Sequence, residues 1–153
     1  MRMTLGLSLS PLLLPALLTA ELAAQPAART IEVQVGDNMK YSVATITARP
    51  GERLRVVLKG VGKLPKAAMG HNFVLLKKGV DPKRFVDLSA SARDNDFIAP
   101  AVEDQVLATT GLVGPGETRE VTFDAPAPGT YTFVCTFPGH FALGMKGALI
   151  VSK

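Results

Sequence analysis

The sequence is short of the residues that usually carry chemistry. Its 153 residues include one cysteine and two histidines. A single cysteine excludes an internal disulfide framework and any zinc site assembled from several thiolates. So few thiols and imidazoles leave little choice of residues for transition-metal or nucleophilic chemistry. No internal repeat stands out, and no low-complexity tract follows the first two dozen residues. Charge, Gly and Pro contents are too ordinary for a disordered or collagen-like chain. There are 17 Lys and Arg against 13 Asp and Glu, a formal net charge of +4. The cations are scattered, with no stacking platform among them, so no nucleic-acid binding is expected. The basic balance points instead to acidic partners or anionic surfaces. The length suits one domain that can bury a core without disulfide staples.

The opening residues read differently from the rest. Arg2 precedes a Leu-rich stretch from Leu5 to Leu18, followed by small residues at Ala20, Ala23 and Ala24. This is the layout of a secretory signal peptide, predicted at residues 1–24 with cleavage after Ala24 and Ala20 as the alternative. A membrane helix is the competing reading. It is weaker, because Pro11 and Pro15 interrupt an apolar run already below the roughly 20 residues needed to span. No cysteine near the cleavage region supports a lipid anchor. Residues 25–153 form the expected mature domain, with no stable membrane insertion. Export sharpens the cysteine question, because an unpaired thiol outside the cytoplasm is a liability unless buried, partnered or metal-bound.

The mature chain reads as short strands separated by Gly, Pro and Asn/Asp turns. Ile31–Val35, Tyr41–Ala48 and Arg53–Leu58 come first, then the apolar run Phe73–Leu76. Gln105–Thr110, Thr118–Phe123, Thr130–Cys135 and Gly147–Val151 follow. Between these two groups Asp81 caps, and Pro82 starts, a predicted helical insertion over residues 82–93. Strands at this spacing, with one helix, predict an all-β fold: a two-sheet antiparallel sandwich. Its expected core is Val33, Val35, Val43, Ile46, Leu54, Val56, Leu58, Phe73, Leu75, Val106, Val121, Phe123, Tyr131, Phe133, Leu149 and Val151.

The scarce residues gather in two places. One is the segment Cys135-Thr136-Phe137-Pro138-Gly139-His140-Phe141-Ala142-Leu143-Gly144-Met145; the other is Met69-Gly70-His71-Asn72. The cysteine and both histidines thus lie at strand–loop junctions, where one end of a sandwich could collect them. A thiolate with two imidazoles and a weak axial thioether is a copper set. Zinc accepts the same donors but has no redox chemistry. Singly, each residue has a plain reading: a satisfied histidine, a small buried thiol, a packing methionine. The joint arrangement is far more specific. A Cys–His nucleophile is set aside, because no third histidine and no oxyanion-hole signature accompany it.

The segments Leu64-Pro65-Lys66-Ala67-Ala68-Met69-Gly70-His71-Asn72-Phe73-Val74-Leu75 and Cys135-Thr136-Phe137-Pro138-Gly139-His140 resemble the two copper-binding segments of azurins, within the cupredoxins. Weaker resemblance covers nearly all of the mature chain. It implies a Greek-key β-sandwich, one type 1 (blue) copper per chain, and single-electron transfer in the periplasm rather than enzymatic bond chemistry. By position it implies His71, Cys135 and His140 as strong ligands, Met145 as the axial ligand, and the Gly70 carbonyl opposite. The Cys-x₄-His-x₄-Met spacing is one residue longer than in most azurins and more like auracyanins. The disulfide usual near the azurin N-terminus cannot form here, and Phe73 stands where azurins commonly have Trp. Azurin-like proteins also imply that Asn72 ties the His71 segment to the Cys135 loop, with backbone N–H groups near Phe137 softening the thiolate. His140 is expected to reach the surface as the electron port, ringed by Met69, Pro138, Phe141, Ala142 and Leu143 as a docking patch for redox proteins, acidic ones by charge. The protein is expected to be a monomer. The alternative is a periplasmic copper-delivery protein without redox turnover.

Overall fold

The structure, a computed structural model, describes residues 27–153, so the expected signal peptide lies outside the described residues. Eight strands form two sheets: β1 (Arg29–Val35), β2 (Thr45–Ala48), β3 (Arg53–Gly60), β4 (Val74–Leu76), β5 (Val106–Thr109), β6 (Thr118–Asp124), β7 (Gly129–Val134) and β8 (Lys146–Val151). One sheet has the order β1-β3-β6, the other β2-β8-β7-β4-β5. The expected sandwich is present, but the antiparallel expectation needs correcting, because β1 pairs with β3 and β2 with β8 in parallel. The reason is topological. The chain leaves the first sheet after β1, lays β2 against the second, and returns as β3 beside β1, a crossover that makes neighbours parallel.

The crossover also shortens the strand expected over residues 41–48. Tyr41 keeps only a bridge to Val35 in the first sheet, whereas Thr45–Ala48 pair with β8 in the second. Residues 42–44 span the gap, with the Ser42 amide donating to the Gln34 carbonyl and its hydroxyl accepting from the Gln34 amide.

Alternation decides which side chains enter the core. In β1, Val33 and Val35 are buried while Glu32 and Gln34 face out, as a half-buried strand requires. Outward residues pair across strands, Glu32 with Lys59, Arg55 with Glu120 and Arg53 with Asp124. Twelve of the sixteen residues expected in the core are buried. Val43, Val121 and Phe123 pack at its margin, and Val106 packs on a second cluster instead. That second cluster explains the unbroken apolar run in β4. Phe73 and Leu75 face the main core, while Val74 and Leu76 face Phe85, Val86, Ile98 and Val102 of the insertion. A strand covered on both faces has no polar side to show.

The helix expected over residues 82–93 is shorter. Helix α2 (Pro82–Ser89) starts where predicted, with the Asp81 carboxylate accepting from the Lys83 and Arg84 amides. It stops because the buried Ser89 hydroxyl takes the Ala99 amide, tying the following turns back to the helix end. Two 3₁₀ turns at Arg93–Asn95 and Pro100–Gln105 complete the insertion. A further helical turn, α1 (Lys66–Met69), follows Pro65 and was not apparent from periodicity.

Candidate metal centre

The β7–β8 hairpin supplies most of the site. Cys135 follows the last residue of β7, and the chain loops through residues 136–145 before entering β8. The Cys135 amide donates to the Met145 carbonyl, the His140 amide to Phe137, and the Met145 amide to His140, so the loop closes on itself. Gly139 and Gly144 have φ of 86° and 90°, a left-handed conformation that side chains resist and that lets so short a loop turn twice. Strand β4 lies beside β7, with Val74 opposite Val134. This register carries the residues just before β4 to the same end of the sandwich. His71 is held there by two backbone bonds with Val113.

The outcome is a compact set of donors. His71, Cys135 and His140 each offer a ligand atom, all within 4.8 Å of one another, and all three residues are buried. The Cys135 sulfur lies 3.5 Å from His140 Nδ1. The two imidazole rings are 4.8 Å apart and tilted by 33°. Met145 is fully buried in the main core, at the closing end of the same loop. Gly70 is buried next to His71, and a Cβ there would meet the Phe137 ring at 3.2 Å. The fold therefore brings the donor atoms of His71, Cys135 and His140 together, with Gly70 next to His71 and Met145 tied by backbone bonds to Cys135 and His140.

Burial keeps the free side chains uncharged. Burial, and next the charge of His140, hold the His71 imidazole down at about 4. Burial lowers His140 as well. Burial pushes the Cys135 thiol up to about 11, opposed by backbone N–H groups of Asn72 and Phe137. Uncharged imidazoles are ready to ligate, and the thiol must lose its proton to do so. Both His71 nitrogens are buried without a hydrogen-bond partner among the described residues. Such orphaned polar atoms are rare in folded proteins and mark a site for a ligand. Borderline nitrogen with soft sulfur fits copper.

The surroundings hold the donors in place. The Asn72 Nδ2 group donates to Thr136 Oγ1 at 2.8 Å and to the Asp96 carbonyl at 2.9 Å, while Asn72 Oδ1 accepts from the Thr136 amide at 2.9 Å. The link between the His71 segment and the Cys135 loop is thus present. Two contributors were missed by sequence reasoning. Tyr41, buried edge-on to Phe73 and Phe133, donates its hydroxyl to the Asn72 carbonyl at 2.6 Å. Burial, and then the Cys135 charge, raise its ionisation well above the usual tyrosine range. Asp96 reaches the site from the insertion. Nothing in local spacing signals either residue, because both arrive through tertiary packing.

His140 meets the surface more narrowly than expected. It is only 3% exposed, flanked by the rings of His71 and Phe137. The apolar rim of the same loop is Pro138, Ala142 and Leu143, the last 63% exposed, with Leu64, Ala67 and Ala68 exposed on and before α1. Met69 is half-buried. Phe141 packs partly on the insertion cluster under the Lys146 ammonium.

Known proteins share these features. Residues 27–152 match the family described as copper binding proteins, plastocyanin/azurin family. The chain is 36% identical over 123 residues to azurin of Alcaligenes faecalis, covering 78% of this chain and 94% of that protein. It is 35% identical to auracyanin-B of Chloroflexus aurantiacus, covering 82% of this chain and 53% of that one, so it spans about half of that relative. The solved auracyanin of Roseiflexus castenholzii superposes with a TM-score of 0.72 at 36% identity, covering 83% of this chain and all of that one. The site's one copper is thus a property of relatives and donors alike, and the chain belongs to the plastocyanin/azurin family of copper binding proteins.

Proposed function

We propose that the protein is a type 1 copper electron carrier acting in the periplasm, whose copper would be held by His71, Cys135 and His140, with the Met145 thioether and the Gly70 carbonyl as further donors. The observation that carries this reading is the convergence of three buried soft and borderline donors around His71 nitrogens that have no other partner. Copper supplies the one-electron redox couple when bound. The chain's own residues do the rest. The Asn72–Thr136 bonds hold the two ligand segments at one spacing, which limits how far the donors move on electron gain and loss. Asn72 and Phe137 N–H groups offset charge on the Cys135 sulfur. Surrounding aromatic and aliphatic side chains keep water away.

Burial and rigidity support a carrier over a delivery protein, which would need accessible donors that release metal. The apolar rim supports transient docking of a redox partner above His140, because redox encounters bury small areas. The basic balance supports an acidic partner, met by a monomer. Among the described residues no helix is long and apolar enough to cross a membrane; the signal-peptide layout read in the sequence of residues 1–24 supports a periplasmic location. Visible and electron paramagnetic spectra of the copper-loaded protein test the reading. An intense thiolate-to-copper band that bleaches reversibly on reduction is expected, and Cys135→Ser removes it. Copper bound without that band, and lost rapidly to a chelator, would favour delivery. Leu143→Lys should slow exchange with partners and leave the colour unchanged.

A further inference from the structure

Two consecutive non-glycine residues of the insertion, Asp96 and Phe97, have φ of 49° and 58°. This left-handed conformation is an outlier for a residue as bulky as Phe, and it persists only where the surroundings over-determine it. What the pair touches gives the reason. The Asp96 carbonyl accepts from Asn72 Nδ2 at 2.9 Å and from Thr136 Oγ1 at 3.4 Å. Phe97 is buried, and its ring stands edge-on to Phe137 at 5.1 Å and 67°. Phe137 in turn lies against the His140 ring at 4.8 Å and 34°. One short segment thus bears on both ligand-carrying segments: Asn72 beside His71, and Thr136 and Phe137 beside Cys135. Braces from the Phe97 amide to the Ala92 carbonyl, and from Asn95 Nδ2 to the Ile98 carbonyl, hold it in that pose.

We propose that the Asp96–Phe97 pair is a positioning element for the metal centre. The strained backbone turns the Asp96 carbonyl inward to anchor Asn72 and Thr136, and the Phe97 ring fixes Phe137 against His140. The insertion between β4 and β5 is therefore a buttress of the site as well as a cover for the second core cluster. Relaxing the backbone would withdraw the carbonyl and leave Asn72 Nδ2 with Thr136 alone. The proposal rests on the copper reading for its consequence, but its structural content stands in the metal-free chain.

The test measures amide hydrogen exchange at Thr136 and Phe137 in the metal-free full chain, and the reduction potential of the copper-loaded protein. Phe97→Ala is expected to speed exchange at these two amides about tenfold or more relative to amides of β1 and β3, and to shift the potential. Ile98→Ala, in the neighbouring cluster, is expected to loosen the insertion without that selective effect. Phe97→Tyr, which keeps the ring, should restore the native pattern. Should Phe97→Ala not fold, Phe97→Leu serves with the same expectations. Asp96→Gly, which keeps the carbonyl and adopts the same positive φ without steric cost, should retain Thr136 protection. Equal acceleration by the Phe97 and Ile98 variants with an unchanged potential would overturn the proposal. Selective loss of protection in Asp96→Gly would overturn it too. Absence of a blue band in the native protein would defeat the copper reading and leave the exchange result to decide positioning.

Discussion

Replacing Asn72 by Leu removes the hub of the site while nearly conserving side-chain volume. Three hydrogen bonds are lost, two to Thr136 and one to the Asp96 carbonyl. At about 1 kcal/mol net for each bond, the direct loss is roughly 3 kcal/mol. The Asp96 carbonyl keeps a partner in Thr136 Oγ1, whereas the buried Thr136 amide keeps none. A stranded buried donor adds roughly 1–3 kcal/mol, partly offset by the apolar gain of Leu. The expected net loss is roughly 3–4 kcal/mol, or a fall in Tm on the order of 10–15 °C for a domain of this size. Urea unfolding of the metal-free protein measures it. Combining the change with Thr136→Val in a double-mutant cycle should yield a coupling of about 1–2 kcal/mol, since the two side chains share a bond. The copper-loaded variant should also show a shifted reduction potential. A stability loss below about 1 kcal/mol with no coupling and an unchanged potential would refute the bridging role.

Tyr41→Phe deletes the bond to the Asn72 carbonyl but keeps both aromatic contacts; a loss of about 1–2 kcal/mol in urea unfolding is expected, and equal or greater stability would show the bond to be idle. The metal-free protein should lose stability as pH falls from about 6.5, where His71 protonates in the unfolded chain, through its folded value of about 4. Stability from this group is fully present above that window, and its loss reaches roughly 3 kcal/mol below it; lowered His140 acts in the same direction, and a flat profile from pH 7 to 4 would contradict the assignment. Copper loading at pH 7 should release about one proton, from the Cys135 thiol alone, because both imidazoles are already neutral; calorimetry in buffers of different ionisation enthalpy counts it, and a release near two would show a charged histidine. Gly70→Ala would place a Cβ 2.9 Å from the Lys66 carbonyl and 3.2 Å from the Phe137 ring; a loss of about 1–3 kcal/mol and an altered copper spectrum are expected, and native values for both would mean that Phe137 moves freely.

Much of the molecule was legible in its sequence for physical reasons. Period-two alternation in Ile31–Val35 marks a strand because one face must be buried. The scarcity of thiol and imidazole left Cys135, His71 and His140 as a small set to assign, and their ligand segments were recognisable. Pairing direction was not legible. Alternation is identical in parallel and antiparallel strands, so only the crossing of the chain between sheets revealed β1 beside β3. The end of α2 coincides with a bond from the Ala99 amide to the Ser89 hydroxyl, ten residues away. The burial of most of the His140 ring was not legible, because a Pro-Gly loop does not reveal which rings will pack beside it.

Sequence by itself brought out the scarce Cys135, His71 and His140, the sandwich class and the loop that runs from Cys135 through His140 to Met145, since these follow from residue chemistry and short-range periodicity. Tertiary structure alone decided that Tyr41 bonds to the Asn72 carbonyl and that Asp96 and Phe97 of the insertion brace both ligand segments. Those contacts join residues 24 to 40 positions apart, and no local pattern records a neighbour brought close only by folding.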